Sequence, residues 1–139
     1  MKITRINPDI YIPSRGSEHA AGYDIFMPSI EFIYPGETKK IKLGFATAIP
    51  VGFAALIMPR SSWGSKGIEL ANTVGLIDSD YRGEWQAVIK NTSNEQIQWN
   101  LDERVLQFIL IPVNTPELEI VSDLDETDRG EGGFGSTGK

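Results

Sequence analysis

The sequence contains no cysteine and a single histidine, His19. The first absence removes disulfides, thiolate metal sites, iron–sulfur clusters and thiol nucleophiles, and the second leaves no two-histidine metal site. Long apolar runs are also missing. None approaches the ~20 residues that span a bilayer, and Met1–Arg5 lacks the apolar core of a secretion signal. Basic charge is in deficit, with 13 basic against 19 acidic residues and a net charge of −6. Residues 1–116 carry 11 basic and 12 acidic side chains, whereas 117–139 set Arg129 and Lys139 against seven acids. A nearly neutral body with an acidic end has no Lys/Arg cluster to displace counterions from nucleic acid, so stable nucleic-acid binding is not expected. A small anionic ligand held by a few placed bases remains compatible with this charge.

What is present suits one domain: 139 residues, 40% hydrophobic and 23% charged. Short runs rich in β-branched and aromatic residues alternate with Pro, Gly, Asn and Asp. The pattern predicts strands at Tyr23–Met27, Ile30–Tyr34, Thr38–Ala48, Phe53–Met58, Ile68–Thr73, Trp85–Lys90, Gln96–Trp99, Val105–Val113 and Leu118–Val121. No window keeps a helical period through three turns, and only Ser61–Lys66 suits a turn or two of helix. The expected fold is all-β, a β-sandwich or jelly roll over residues 1–121. From Ser122 to Lys139 the large apolar residues are Leu124 and Phe134 alone, among five glycines. Such a segment cannot bury enough surface to order itself, and a flexible C-terminal arm is expected there. A ring at Phe134 and a guanidinium at Arg129 would let the arm close over a ligand, stacking on a base while pairing with phosphate.

Three stretches carry chemistry. Gly133–Lys139 has the glycine-to-lysine spacing of a phosphate-binding loop, but no Ser or Thr follows the lysine and neither a strand nor a helix flanks it. A Walker fold is therefore rejected, while glycine N–H groups that wrap phosphate are retained. Pro59–Gly67 follows an apolar strand and gathers Arg60, Ser61, Ser62, Ser65 and Lys66. It reads as an anion cradle or as an ordinary solvated connection. Gly75–Gly83 reads as a hairpin tip in which Asp78 is either a turn residue or a general base at the rim of an apolar surface. His19 lies in a polar stretch, where a surface role outweighs a catalytic triad, and Asn91-Thr92-Ser93 reads as a turn.

Five blocks in order resemble the trimeric deoxyuridine triphosphatases (dUTPases) across nearly the whole chain. They are Ala21–Asp24, Pro59–Ser62, Gly75–Gly83, Glu103–Gln107 and Arg129–Gly138. The resemblance implies a β-clip jelly roll, a homotrimer whose sites draw on three subunits, and hydrolysis of dUTP to dUMP and pyrophosphate with Mg2+ on the triphosphate. It implies that Asp78 activates the attacking water and that Tyr81 stacks on deoxyribose. Asn72, with the backbone of Gly75 and Ile77, would read uracil. Arg60, Ser61, Ser62 and Gln107 would hold phosphates, and Arg129 the terminal phosphate. Phe134 would cover the base, with Gly135 and Ser136 beside it, and Asp24 would support the metal through water or the trimer centre. Two departures stand out: a slightly short stretch from Lys66 to Gly75, and Trp63 where a smaller aliphatic residue is usual. A dCTP deaminase of the same fold and a regulatory protein that captures a partner are the alternatives. The glycine-rich tail and the Asp-to-Tyr segment favour diphosphate release. A cytoplasmic location is expected, in the host cytoplasm for a viral source.

Overall fold

The computed structural model describes residues 1–133, so the sites expected at Phe134, Gly135 and Ser136 lie outside the described residues. The elements are β1 (Lys2–Arg5), β2 (Tyr23–Phe26), β3 (Glu31–Ile33), β4 (Thr38–Lys42), β5 (Phe45–Ala48), β6 (Phe53–Pro59), α1 (Ser61–Gly64), β7 (Ile68–Leu70), β8 (Gly75–Ile77), β9 (Gln86–Asn91), β10 (Ile97–Trp99) and β11 (Arg104–Pro112). A four-stranded antiparallel sheet runs β2-β11-β6-β8 and a three-stranded one β4-β9-β7, with the ribbons β1-β5 and β10-β3 completing the walls. The all-β expectation is met.

Between the sheets lies one apolar core, with Ile25, Met27, Phe45, Ile57, Trp85 and Phe108 almost fully buried. Trp85 is its hub, its ring centroid 5.1 Å from that of Phe45 and 5.0 Å from that of Phe108. Indole needs a partner when buried, and Trp85 Nε1 donates to Thr47 Oγ1 at 3.1 Å. Burying side chains of this size contributes about 1.5–3 kcal/mol each, which holds the sheets in register.

The structure departs from the strand pattern at identifiable points. The run Thr38–Ala48 is two strands, because Gly44 at φ 79° turns the chain between β4 and β5. There its carbonyl accepts the N–H groups of Ile6 and Asn7, while its own N–H donates to Glu84 Oε1 at 3.0 Å. Ile68–Thr73 stops as a strand at Leu70. Leu118–Val121 forms no strand: its alternation is right, but among the described residues no neighbouring strand accepts its backbone, and Leu118 and Ile120 are 95% and 99% exposed. Two strands escape the pattern, β1 because charged residues outnumber Ile3 and β8 because its three residues begin at Gly75 and run straight into the turn-forming Asp78-Ser79-Asp80. Gly75–Gly83 is also not a hairpin tip. Strand β8 pairs with β6 and β9 with β4 and β7, so residues 78–85 cross from one sheet to another. The reversal lies earlier, where Val74 N–H reaches the Asn72 carbonyl at 2.7 Å across Thr73.

Candidate active site

Side chains on β2 and β11 share a face when their backbones are opposite, and Asp24 is opposite Gln107. Arg104 and Gln107 are three positions apart, an odd spacing that would place them on opposite faces of a regular strand. A bulge between Arg104 and Leu106 sets two residues of β11 against one step of β2, so Arg104 also points to the side of Asp24. From the other neighbour of β11, the chain leaving β6 brings Arg60 to the same place, its N–H anchored on the Val105 carbonyl at 3.0 Å.

The result is a carboxylate held between two guanidinium groups. Arg60 Nε lies 2.9 Å from Asp24 Oδ1, and Arg104 Nη1 lies 3.1 Å from Oδ2. Arg60 Nη1 also donates to the Arg104 carbonyl at 3.0 Å. The Asp24 side chain is 10% exposed and that of Arg60 30%, so the acid is the buried anchor and the base faces outward. Beside them opens a hollow of about 430 Å³, lined among others by Ser17, Gly22, Asp24, Arg60, Ser61 and Gln107. Guanidinium, hydroxyl and amide donors converge there, a donor set suited to phosphate oxygens. Ser61 opens α1, and Ser62 follows it on the exposed side of the same turn. A larger hollow of about 510 Å³ lies beyond α1, lined by Trp63, Lys66 and residues 93–98. Its cation, Lys66, rests 4.3 Å from the Trp63 ring centroid, and no carboxylate-held arginine faces it.

The segment expected to carry base, sugar and water forms a second group. Thr73, at φ 66°, is a β-branched residue in the left-handed region, the kind of local strain that clusters at functional sites. It sets Asn72, whose Nδ2 donates to the Val74 carbonyl at 3.1 Å. Gly75 is buried against β6 and Ile77 half-buried opposite Ala55, which fixes the start of the crossover. Asp78 follows and is exposed at the start of the crossover; among the described residues its carboxylate takes neither an ion pair nor a hydrogen bond. Arg82 Nη1 braces the turn by donating to the carbonyls of Ser79 at 2.7 Å and Tyr81 at 3.0 Å. Tyr81 is 40% exposed.

Within one chain, therefore, Asp24, Arg60, Ser61 and Gln107 meet around the hollow, whereas Asn72, Asp78 and Tyr81 do not line it. Arg129 is exposed in a separate turn, its Nε donating to the Gly132 carbonyl at 2.9 Å. No group of three or more His, Asp or Glu side chains among the described residues is arranged to hold a metal, and both Asp24 oxygens already face cations. The residues present do not fit a resident ion. Arg104 is the participant that a residue-by-residue reading misses; its block is visible in the sequence, but only the bulge turns it toward Asp24.

Comparisons with known proteins show what the chain as a whole is similar to. The dUTPase family profile matches residues 9–138. A deoxyuridine 5'-triphosphate nucleotidohydrolase of Nautilia profundicola is 43% identical over 140 residues, covering 100% of this chain and 99% of the relative. One from Yarrowia lipolytica is 40% identical over 140 residues, covering 99% and 88%. Among solved structures, the dUTPase of Staphylococcus bacteriophage 80alpha with dUPNHPP superposes with a TM-score of 0.90 at 28% identity, covering 99% of this chain and 98% of that one. A mutant dUTPase from phage phi11 of S. aureus, which coordinates a structural Mg(II) ion, gives a TM-score of 0.80 at 26% identity over 88% of this chain and 96% of that one.

Proposed function

The chain belongs to the dUTPase family, and on that premise we propose that it hydrolyses dUTP to dUMP and pyrophosphate in a homotrimer with composite sites. The observation that carries the proposal is the hollow of Arg60, Ser61 and Gln107, with Arg60 aimed by a buried carboxylate. A triphosphate carries about four negative charges, so its transfer chemistry is chiefly positioning and electrostatic stabilisation. Arg60, Ser61, Ser62 and Gln107 bind phosphate oxygens and stabilise the charge that grows on them. Asp78 takes the proton of a water whose oxygen bonds to the α-phosphorus, as the bond from that phosphorus to the bridging oxygen breaks and pyrophosphate leaves. Asn72 and the backbone of Gly75 and Ile77 read the uracil edge, and Tyr81 packs on the sugar. Arg129 pairs with the terminal phosphate, and the residues that follow it cover the base.

Magnesium enters in this reading as the counter-ion of the triphosphate, where it neutralises phosphate charge, and so as part of the substrate. Asp24 is assigned to holding Arg60.

Because Asp78 and the hollow stand apart in one chain, the reading assigns them to different subunits around each site. Its test is pyrophosphate release from Mg–dUTP, with dTTP, dCTP and UTP as competitors. Wild-type protein should prefer dUTP, and Asp78→Asn should lower kcat by ~10²–10⁴ while the non-hydrolysable imido analogue still binds. Unchanged kcat in that variant would refute the role of Asp78, and ammonia release from dCTP would favour the deaminase reading.

A further inference from the structure

Tyr81 folds back along its own chain. Its hydroxyl donates to the Glu84 carbonyl at 3.0 Å, which lays the ring across the backbone of Gly83. A Cβ built on Gly83 would stand 2.6 Å from the ring Cζ and 2.9 Å from Cε2, closer than real Cβ atoms come to other heavy atoms. Gly83 is not in the left-handed region that strains L side chains. The three heavy atoms that a Cβ at this position would meet first all belong to the ring and hydroxyl of Tyr81.

The other jaw of this clamp is equally fixed. Glu84 Oε1 accepts the Gly44 N–H at 3.0 Å, and Oε2 lies 3.7 Å from Lys42 Nζ. The next residue, Trp85, is fully buried, and its N–H donates to the Phe45 carbonyl at 2.9 Å. The carbonyl that receives the tyrosine hydroxyl is therefore tied to the core through the turn at Gly44. Tyr81 is held between an immobilised acceptor above and a backbone without Cβ below.

We infer that Gly83 is a positioning residue for sugar discrimination, acting through Tyr81: by leaving room for the ring, it sets the height of the platform on which the substrate's sugar rests. This deepens the proposed function and rests on it. A ring fixed at that height admits 2'-deoxyribose and meets the 2'-hydroxyl of a ribonucleotide. A ring displaced by a methyl group at position 83 swings toward solvent, where Tyr81 is already 40% exposed, and opens the space it guarded. Neither Gly83 nor the Glu84 carbonyl touches substrate in this scheme.

The experiment compares kcat and KM for dUTP and UTP in wild type, Gly83→Ala, Tyr81→Ala and the double variant. Gly83→Ala should reduce the ratio of kcat/KM values for dUTP over UTP by at least ~10-fold, with KM for UTP falling. Tyr81→Ala should do the same, and the double variant should lose no more than Tyr81→Ala alone, because the two act through one ring. If Gly83→Ala fails to fold, adding Tyr81→Ala must restore folding, since the clash is with the ring. A Gly83→Ala protein that loses activity equally on both substrates, a wild-type ratio, or a double variant that stays unfolded would each overturn the inference while leaving dUTP hydrolysis by wild type intact. Wild-type protein that releases no pyrophosphate from dUTP would overturn the proposed function and this inference with it.

Discussion

Asp24 is acidic, almost buried and flanked by two arginines, an arrangement whose value depends on all three remaining. Removing one partner of a buried charge pair leaves the other charges uncompensated. Asp24→Asn keeps the shape of the side chain but offers one oxygen in place of two. The expected result is an Arg60 that drifts from the phosphate position, and misplacement of about 1 Å costs ~10²-fold in rate. Steady-state kinetics should show kcat/KM for dUTP falling by that order, while a thermal melt at matched concentration shows a folded protein. Undiminished kcat/KM would mean that Arg60 is held by backbone contacts alone. At this scale much is legible in the sequence: residue type and block order single out Arg60, Ser61, Gln107 and Asp24. The pairing of Asp24 with Arg104 is not, because it spans 80 positions and depends on a bulge that no local pattern announces.

Element boundaries depend on backbone stereochemistry as well as apolar pattern. Gly44 separates β4 from β5 while holding the turn that carries Glu84, so one residue serves two sheets. Alanine there would take a left-handed φ and place its Cβ 2.9 Å from Ile10 Cγ2. Such strain costs about 1–3 kcal/mol, so Gly44→Ala should unfold at lower urea than wild type at the same protein concentration. A coincident unfolding curve would contradict this account of the turn. The strands themselves are largely legible, since β2, β6, β9 and β11 follow alternating or continuous apolar runs. The false strand at Leu118–Val121 has the same alternation without a partner among the described residues, which shows that the period is necessary and the ladder decisive. The crossover at 78–85 resembles a hairpin in sequence because turn-forming residues mark a bend without stating which sheet the chain enters next.

For the whole molecule, the separation of Asp78 from the hollow makes a quantitative demand on assembly. If each site takes Arg60 from one subunit and Asp78 from another, trimers mixed from Asp78→Asn and Arg60→Ala chains contain some sites with both wild-type groups. Random mixing of equal amounts places them together in about one site in four. Two nearly inactive proteins, unfolded and refolded together, should therefore recover about a quarter of wild-type turnover. Recovery no greater than the average of the two separate variants would mean that Arg60 and Asp78 serve the same site from one chain.

Composition and strand period were enough to expect a β-rich domain, and the five ordered motifs, through their resemblance to the dUTPases, to expect a polyanionic ligand and the side chains proposed to meet it. These are properties of short windows, in which residue type and spacing carry the chemistry directly. Only the folded chain decided which windows meet. The bulge in β11 turns Arg104 toward Asp24, Gly44 ties Glu84 to the core, and Gly83 yields its surface to the ring of Tyr81. Each of these contacts joins backbone geometry at one position to a side chain at another, and a linear pattern records neither the direction nor the distance between them.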